Sequence, residues 1–227
     1  MELAGVLLGL LGIAAAIYIP LKIEALKRPK LSIKWAADAN NPGMYGGPTR
    51  IVHIAVVNEP IEGGLGKWLL RNPATGCQVK LTYRSRSDEK TLSTPGKWSA
   101  KPEPLQWLPV QNPDGSQGIY QYADSEKMPD TLVYDVSPGR RGGVVAVALK
   151  RDGERQAYAF GWMLYAALPD RPLADDSLEL PHDAYEVTAE AEAGGIECST
   201  TFLLHNDGDH HTGLRLDRDP LPGDKRG

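Results

Sequence analysis

Two patterns of hydrophobic positions divide the chain: an unbroken apolar run at its start and alternating segments after it. The run extends from Leu3 to Leu21 without a charged residue. Its nineteen residues would span about 28 Å as a helix, enough for the hydrocarbon core of a bilayer. Basic residues follow the run: Lys22, Lys27, Arg28 and Lys30. Residues 1–28 are therefore predicted to form a transmembrane anchor helix with a basic juxtamembrane end.

A cleaved secretory signal is the main alternative to this anchor. Such a signal needs basic residues before a shorter apolar segment and a small-residue cleavage site. Here Glu2 precedes the run, which ends in Ile17-Tyr18-Ile19-Pro20. These features favour a retained anchor.

The charges that flank the run predict its orientation. Lys and Arg follow Leu21 and are absent before Leu3. By the positive-inside rule, the short N-terminus lies outside and the C-terminal domain is cytoplasmic, with a single pass through the cell membrane.

Small residues recur along one side of the predicted helix. Their spacing of four, three and four places Gly5, Gly9, Gly12 and Ala16 on one face. Gly5-x-x-x-Gly9 is the close-approach motif of packed membrane helices. The face predicts self-association or a membrane protein partner; the alternative is the ordinary abundance of Gly and Ala in membrane spans.

After the run, apolar and polar residues alternate with the period of β-strands. The segments that carry this pattern are Leu31–Ala36, Arg50–Val57, Cys77–Arg84, Thr131–Val136, Val144–Leu149, Gln156–Tyr165, Tyr185–Glu192 and Ile196–Leu204. Gly194-Gly195 between the last two predicts a hairpin turn. We therefore expect an all-β fold: an antiparallel, immunoglobulin-like two-sheet sandwich over residues 29–206.

One position adds detail to this expectation. Tyr185 follows His182-Asp183-Ala184 into a strand, as in a tyrosine corner, where the hydroxyl bonds to upstream backbone. The similarity is one of architecture, because Cys77 and Cys198 are 121 residues apart, too far for the immunoglobulin cysteine pair.

Long segments rich in Pro and Gly separate the predicted strands. They are Asn58–Gly76, Ser85–Asp130 and Pro169–His182, read here as loops, which at this length are often functional. Residues 207–227 are polar and are predicted to form a flexible tail. Glycine-rich Glu62–Lys67 lacks phosphate-loop spacing, and Arg140-Arg141 forms a basic tip between two strands.

Composition and motifs limit the classes of function that the sequence supports. The net charge of −4 gives no sign of a nucleic-acid surface. No nucleophile elbow, zinc-protease motif, dinucleotide fingerprint or Cys-x-x-Cys motif occurs, so no enzyme and no cofactor are predicted. The two cysteines are expected to be reduced core residues, and His53 a packed strand residue.

A weak metal candidate lies at the start of the predicted tail. It comprises His205, Asp207, Asp209, His210 and His211. These side chains are possible ligands for a divalent ion, but their spacing matches no closed zinc site or calcium loop. A solvated turn is the preferred interpretation.

The N-terminus also resembles, over about twenty residues, the N-terminal helix of type IV pilins, in which Glu and an apolar stretch precede a β domain. This chain departs from that pattern, because Glu2 is displaced, a basic leader is missing and the helix is expected to end by Pro29. A pilin-like or extracytoplasmic domain is a minor alternative.

The main hypothesis is a membrane-anchored, non-enzymatic binding, scaffold or accessory subunit of a membrane-associated assembly. The alternative is an effector or sensor that self-oligomerises through its membrane helix.

Overall fold

The computed structural model describes residues 2–41, 47–64, 68–102, 104–111, 114–124, 126–139, 142–160 and 176–221. For residues 2–10, 41 and 176 and part of the strand segments 105–110 and 120–123, it describes the backbone alone. The fold is mostly β, with two antiparallel sheets and a helix at the N-terminus.

Helix α1 spans Glu2–Lys27 and contains Pro20. It is built from Leu, Ala and Ile, which form helices well or adequately. The helix ends before Arg28-Pro29 because the proline ring disfavours helical backbone at the residue before it. The predicted end of the helix by Pro29 is thus confirmed.

Fifteen strands follow in the described part of the chain. They are β1 (Leu31–Trp35), β2 (Ala39–Asn41), β3 (Thr49–Asn58), β4 (Ala74–Ser85), β5 (Thr91–Pro95), β6 (Lys97–Trp98), β7 (Leu105–Gln111), β8 (Gln117–Ala123), β9 (Tyr134–Val136), β10 (Gly143–Arg151), β11 (Ala157–Ala159), β12 (Glu179–Leu180), β13 (Asp183–Ala193), β14 (Ile196–Asn206) and β15 (Leu214–Leu216).

The strands form two large sheets and a separate hairpin. The first sheet has the order β1-β3-β10-β11-β12, with β2 beside β3 and β6 beside β10. The second has the order β15-β14-β13-β4-β5, with β9 beside β4, and β7 pairs with β8 alone. The hairpin lies between β6 and β9 in the chain, so it is an insertion between strands of different sheets.

One hydrophobic core contains residues of both large sheets. Val52 and Ile54 of the first sheet and Leu81 and Val187 of the second are buried in it, which gives a sandwich-like arrangement. The buried hydroxyl of Tyr83 on β4 donates a 2.5 Å hydrogen bond to the carbonyl oxygen of Val147 on β10. This bond satisfies a polar group within the core and links the sheets.

The hairpin of β13 and β14 follows the predicted pattern. Tyr185, Val187 and later alternate residues of β13 are buried, and Gly194 and Gly195 make the turn with positive φ angles of 57° and 78°. The Tyr185 hydroxyl donates a 2.9 Å hydrogen bond to the Pro181 carbonyl. The predicted backbone contact of this tyrosine is therefore confirmed.

Several boundaries differ from the sequence analysis. The supposed loop Ser85–Asp130 contains β5 to β8. Residues 128–131 form a 3₁₀ turn, which shortens the predicted strand Thr131–Val136 to β9. In the polar segment 207–227, β15 pairs with β14, and its Leu214 and Leu216 are buried. The second sheet and the hydrophobic core therefore continue past residue 206.

Candidate functional site

The C-terminal end of α1 is hydrogen-bonded to the β domain by Arg71, which lies between β3 and β4. Its Nη1 donates to the carbonyl oxygens of Leu26 at 2.8 Å and Arg28 at 2.9 Å. Its Nε donates to the carbonyl oxygen of Glu59 at 2.7 Å. One guanidinium thus joins the helix end to the strand exit after β3.

Two asparagines complete this contact. The backbone N–H of Asn72 donates to the Lys27 carbonyl at 2.6 Å. Buried Asn58 accepts from the Lys30 N–H at 3.1 Å and donates to the Asn72 carbonyl at 2.8 Å. We call this group, comprising residues 26–30, Asn58, Glu59, Arg71 and Asn72, the helix junction.

The helix junction follows from the chemistry of a helix end. The last carbonyls of a helix have no partner within it, and the helix dipole makes this end negative. Pro29 stops the helix, and the cationic fork of Arg71 supplies donors to the freed carbonyls. Charge-assisted bonds of this kind contribute about 1.5–3 kcal/mol when they form.

Basic groups surround the helix junction. Lys34 forms a 2.6 Å ion pair with Glu59, which also accepts from Ser32. These hydrogen bonds lower the pKa of Glu59 despite its partial burial. The predicted juxtamembrane residues Lys22, Arg28 and Lys30 are exposed, whereas Lys27 is half-buried.

Two of these basic residues have a partner within the helix. Lys27 pairs with Glu24 at 3.2 Å. The Lys22 ammonium lies 5.3 Å from the centre of the Tyr18 ring, within the range of a cation–π interaction.

From Leu11 to Ala25, the side chains of the helix are exposed. The apolar residues Leu11, Ile13, Ile17, Ile19 and Leu21 are 55–65% exposed. Ala16 is exposed, and a Cβ on Gly12 would meet nothing within 4 Å. Gly5 and Gly9 lie in the helical backbone, in the part described without side chains. The described part of the predicted packing face is thus free of contacts with the β domain.

No helix among the described residues is both long enough and apolar enough to cross a membrane.

The five metal candidates form separate polar contacts. His205 pairs with Asp217 at 3.3 Å, Asp207 with Arg215 at 3.2 Å, and Asp209 with Arg155 at 3.4 Å. His210 and His211 share Oδ1 of Asp152, at 3.2 and 2.9 Å. Hydrogen bonds from these two residues lower the pKa of Asp152 to about 2. The described chain contains no group of three or more His, Cys, Asp or Glu arranged to hold a metal ion.

A buried lysine stabilises the loop that carries these histidines. Lys150 is 0% exposed, and its ammonium donates to Asn206 Oδ1 at 2.5 Å and the Gly208 carbonyl at 2.7 Å. Burial lowers the pKa of Lys150, while the nearby Asp209 and Asp207 raise it. Because neutral acceptors satisfy the ammonium, its role here is structural.

The outer face of the second sheet carries an open groove of about 880 Å³, lined in part by Ser93, Pro95 and Ser199. Its charged lining consists of Lys80, Glu190, Glu192 and Glu197. Lys80 and Glu190 form a 3.7 Å ion pair. The excess of carboxylates suits a cationic rather than an anionic partner.

The β7–β8 hairpin exposes a second apolar surface. Pro109 lies directly opposite Ile119, and Trp107 is two residues before Pro109. Alternate strand residues point to the same side, so these three share one face. Trp107 and Ile119 are both exposed.

The two cysteines are free, and β13 lies between the strands that carry them. Strands two positions apart are about 10 Å apart, too far for a disulfide. Burial raises the pKa of Cys77 to about 12 and of Cys198 to about 11. Both are therefore poor nucleophiles, as expected for reduced packing residues. His53 is buried as predicted, and burial lowers its pKa.

Several predicted features lie partly or wholly outside the described residues: the glycine-rich segment at 65–67, the basic tip at Arg140-Arg141, the strand Gln156–Tyr165 after residue 160, the loop Pro169–His182 before residue 176 and the tail after residue 221. The structure also identifies residues that the sequence analysis missed. The sequence pattern predicts Asn58, Arg71 and Asn72 only as parts of a loop. The available signal was the polar Arg71-Asn72-Pro73 immediately after Trp68-Leu69-Leu70.

No protein-family model, curated protein or solved structure matches this chain.

Proposed function

We propose that the chain is a membrane-tethered, non-enzymatic binding, scaffold or accessory subunit, with a β domain carried on a single-pass helix. The observation that supports this most is the exposure of α1 together with its attachment to the domain at Leu26–Lys30. Five large aliphatic side chains lie in the open on the helix. Leaving each of these side chains in water costs about 1–2 kcal/mol. The sum over the five approaches the free energy of unfolding of a typical domain.

A lipid bilayer provides the apolar surroundings that these side chains need. The apolar run begins at Leu3 and includes Leu7, Leu8 and Leu10. In the proposed orientation the N-terminus is outside and the β domain is cytoplasmic. The basic Lys22, Arg28 and Lys30 support it, because cations at a cytoplasmic surface gain about 1 kcal/mol each from anionic lipid.

The domain would bind its partner through surface features of an immunoglobulin-like sandwich. The tyrosine contact from Tyr185 to Pro181 supports that comparison. The acidic groove and the exposed Trp107–Ile119 face are the surfaces available for a protein partner. Loops and exposed strands are common recognition elements on such domains.

Self-assembly is the second candidate function, and the open space around Gly12 and Ala16 favours it. A membrane effector or sensor would pair copies of α1 through Gly5, Gly9, Gly12 and Ala16. Both candidates use the same helix face, but they differ in the partner.

Cross-linking in native membranes separates the two. The scaffold function predicts hetero-complexes that Gly9→Leu weakens, while Leu10→Ile, a substitution of a neighbouring residue that preserves size, leaves them intact. Homo-oligomers that form when a ligand is added would instead support the effector. Monomers alone, both in membranes and after capture in mild detergent, would contradict the proposed assembly role.

A further inference from the structure

We propose that the segment Trp68–Leu70 lies in the lipid headgroup layer beside the point where α1 enters the membrane. This second lipid contact would hold the β domain in one orientation against the bilayer. The inference rests on the membrane attachment proposed above and identifies the lipid surface as the ligand of this segment.

The segment Trp68–Leu70 exposes two large apolar side chains. Trp68 is 89% exposed and Leu70 is 73% exposed, while Leu69 between them is half-buried. Two large apolar side chains are thus presented on the same short segment, away from the core. Transfer of each from water to an apolar environment is favourable, because it removes apolar surface from water.

The segment Trp68–Leu70 lies beside the C-terminal end of α1. Arg71 follows directly after Leu70 and is hydrogen-bonded to the carbonyls of Leu26 and Arg28. The Asn72 N–H bonds to the Lys27 carbonyl beside it. Trp68 and Leu70 are therefore held next to the end of the helix by contacts on the C-terminal side of their own segment.

Distances along the axis of α1 place the helix junction at the level of the lipid headgroups. Lys27 lies about 9 Å beyond Leu21, the last residue of the apolar run, because a helix rises about 1.5 Å per residue. The headgroup layer on each side of a bilayer is about 5–8 Å thick. The helix junction thus lies at the outer boundary of that layer. Trp68, three residues from Arg71, is able to reach up to about 10 Å from it.

The residue types in and beside Trp68–Leu70 suit a membrane interface. Tryptophan prefers the membrane interface, since its ring is apolar while its N–H bonds to water or headgroups. The exposed Arg28 and Lys30 next to this segment attract anionic lipid. Apolar and cationic groups together at the end of an apolar helix favour a lipid surface over a protein partner as the occupant.

Tryptophan quenching tests the contact in the full chain. The protein is placed in vesicles of phosphatidylcholine and phosphatidylglycerol, with bromine atoms near the top of the acyl chains. We expect these lipids to quench the emission of the wild type and of Trp107→Phe. Trp68→Phe should lose most of the quenching. Trp107 is the matched control because it is also exposed, on the β7–β8 hairpin.

A second measurement uses Leu70→Cys labelled with an environment-sensitive dye, in a Cys198→Ser background. Its emission should be shifted to the blue in vesicles alone, so that no soluble protein extract has to be added to the vesicles to produce the shift. Co-flotation with the vesicles is recorded for every variant. A chain that does not float contradicts the membrane attachment itself. A chain that floats while Trp68→Phe is quenched like the wild type overturns this inference alone, as does a blue shift produced only by the extract.

Discussion

Nη1 of Arg71 lies 2.8 Å from the carbonyl oxygen of Leu26, the residue before the last position of α1. The two residues are 45 positions apart in the chain, so this hydrogen bond couples the direction of the helix to the fold of the β domain. A helix that ends in a hydrogen-bonded junction has its direction fixed as well as its point of attachment. Other helix-end contacts, from Asn58 and Asn72, reinforce the same joint.

Arg71→Ala should loosen this joint. The variant loses three donated bonds, and we expect a loss of about 1–3 kcal/mol in the free energy of unfolding. Spin labels at Lys22→Cys and Thr75→Cys, in a Cys198→Ser background, should show a broader distance distribution. Arg71→Lys should also broaden the distance distribution, since an ammonium lacks the planar fork of the guanidinium. Arg84→Ala, a change of an exposed residue on β4, is the control. An unchanged distribution in Arg71→Ala would show that the helix is held by other contacts.

Lys150→Met should destabilise the domain by about 2–4 kcal/mol. The substitution keeps the length of the side chain but leaves Asn206 Oδ1 and the Gly208 carbonyl without their buried donor. Urea unfolding measures the difference. Lys80→Met, at an exposed lysine, should change stability by less than about 0.5 kcal/mol. Equal effects of the two changes would contradict the structural role of Lys150.

Asp183 should make stability depend on pH in the acid range. Burial raises its pKa, but hydrogen bonds from Ser85 and Ser87 outweigh burial and bring the pKa to about 2, from an ordinary 3.8. A carboxylate with a lowered folded pKa stabilises the fold above the unfolded pKa. That contribution is lost as pH falls through the folded value.

The measurement is the urea midpoint between pH 5 and pH 2, an interval that runs from above the ordinary pKa of Asp183, 3.8, down to its folded pKa of about 2. The wild type should lose stability as pH falls from about 4 towards 2. Asp183→Asn should have a lower urea midpoint than the wild type at pH 5, and its midpoint should depend less on pH. Asp130→Asn, at an exposed position, should follow the wild type. Parallel profiles for wild type and Asp183→Asn would refute the assignment.

Orientation can be read from thiol labelling. Burial and the raised pKa of Cys77 and Cys198 keep the native thiols slow to react. In intact cells, an impermeant maleimide should label Glu2→Cys readily and Thr75→Cys only after permeabilisation. Thr75 is an exposed position on β4. The reverse labelling pattern would place the β domain outside.

Period-two alternation was sufficient to find the longest strands. In Tyr185–Glu192 one side is apolar and the other is polar, and this segment forms the centre of β13. The strands within Ser85–Asp130 were missed because their Pro and Gly content conceals the alternation: β5 includes Pro95 and β7 includes Pro109. β15 was missed because three residues are too few to show a period.

The helix junction was beyond the reach of sequence patterns for a different reason. It depends on hydrogen bonds from the side chain of Arg71 to backbone carbonyls, and any residue type supplies such a carbonyl. Only the fold brings residues 26–28 next to Arg71. By contrast, the end of α1 itself was predictable, because Pro29 restricts the residue before it.

Alkaline carbonate extraction followed by flotation determines whether α1 holds the β domain on a membrane, as proposed. The full chain, with Thr75→Arg as a surface control, should remain with the floated membranes. The double variant Leu8→Arg/Ile13→Arg should be released, since a charge at the centre of a spanning helix costs about 2.5–3.5 kcal/mol. Recovery of the unaltered chain in the carbonate-soluble fraction would contradict the account.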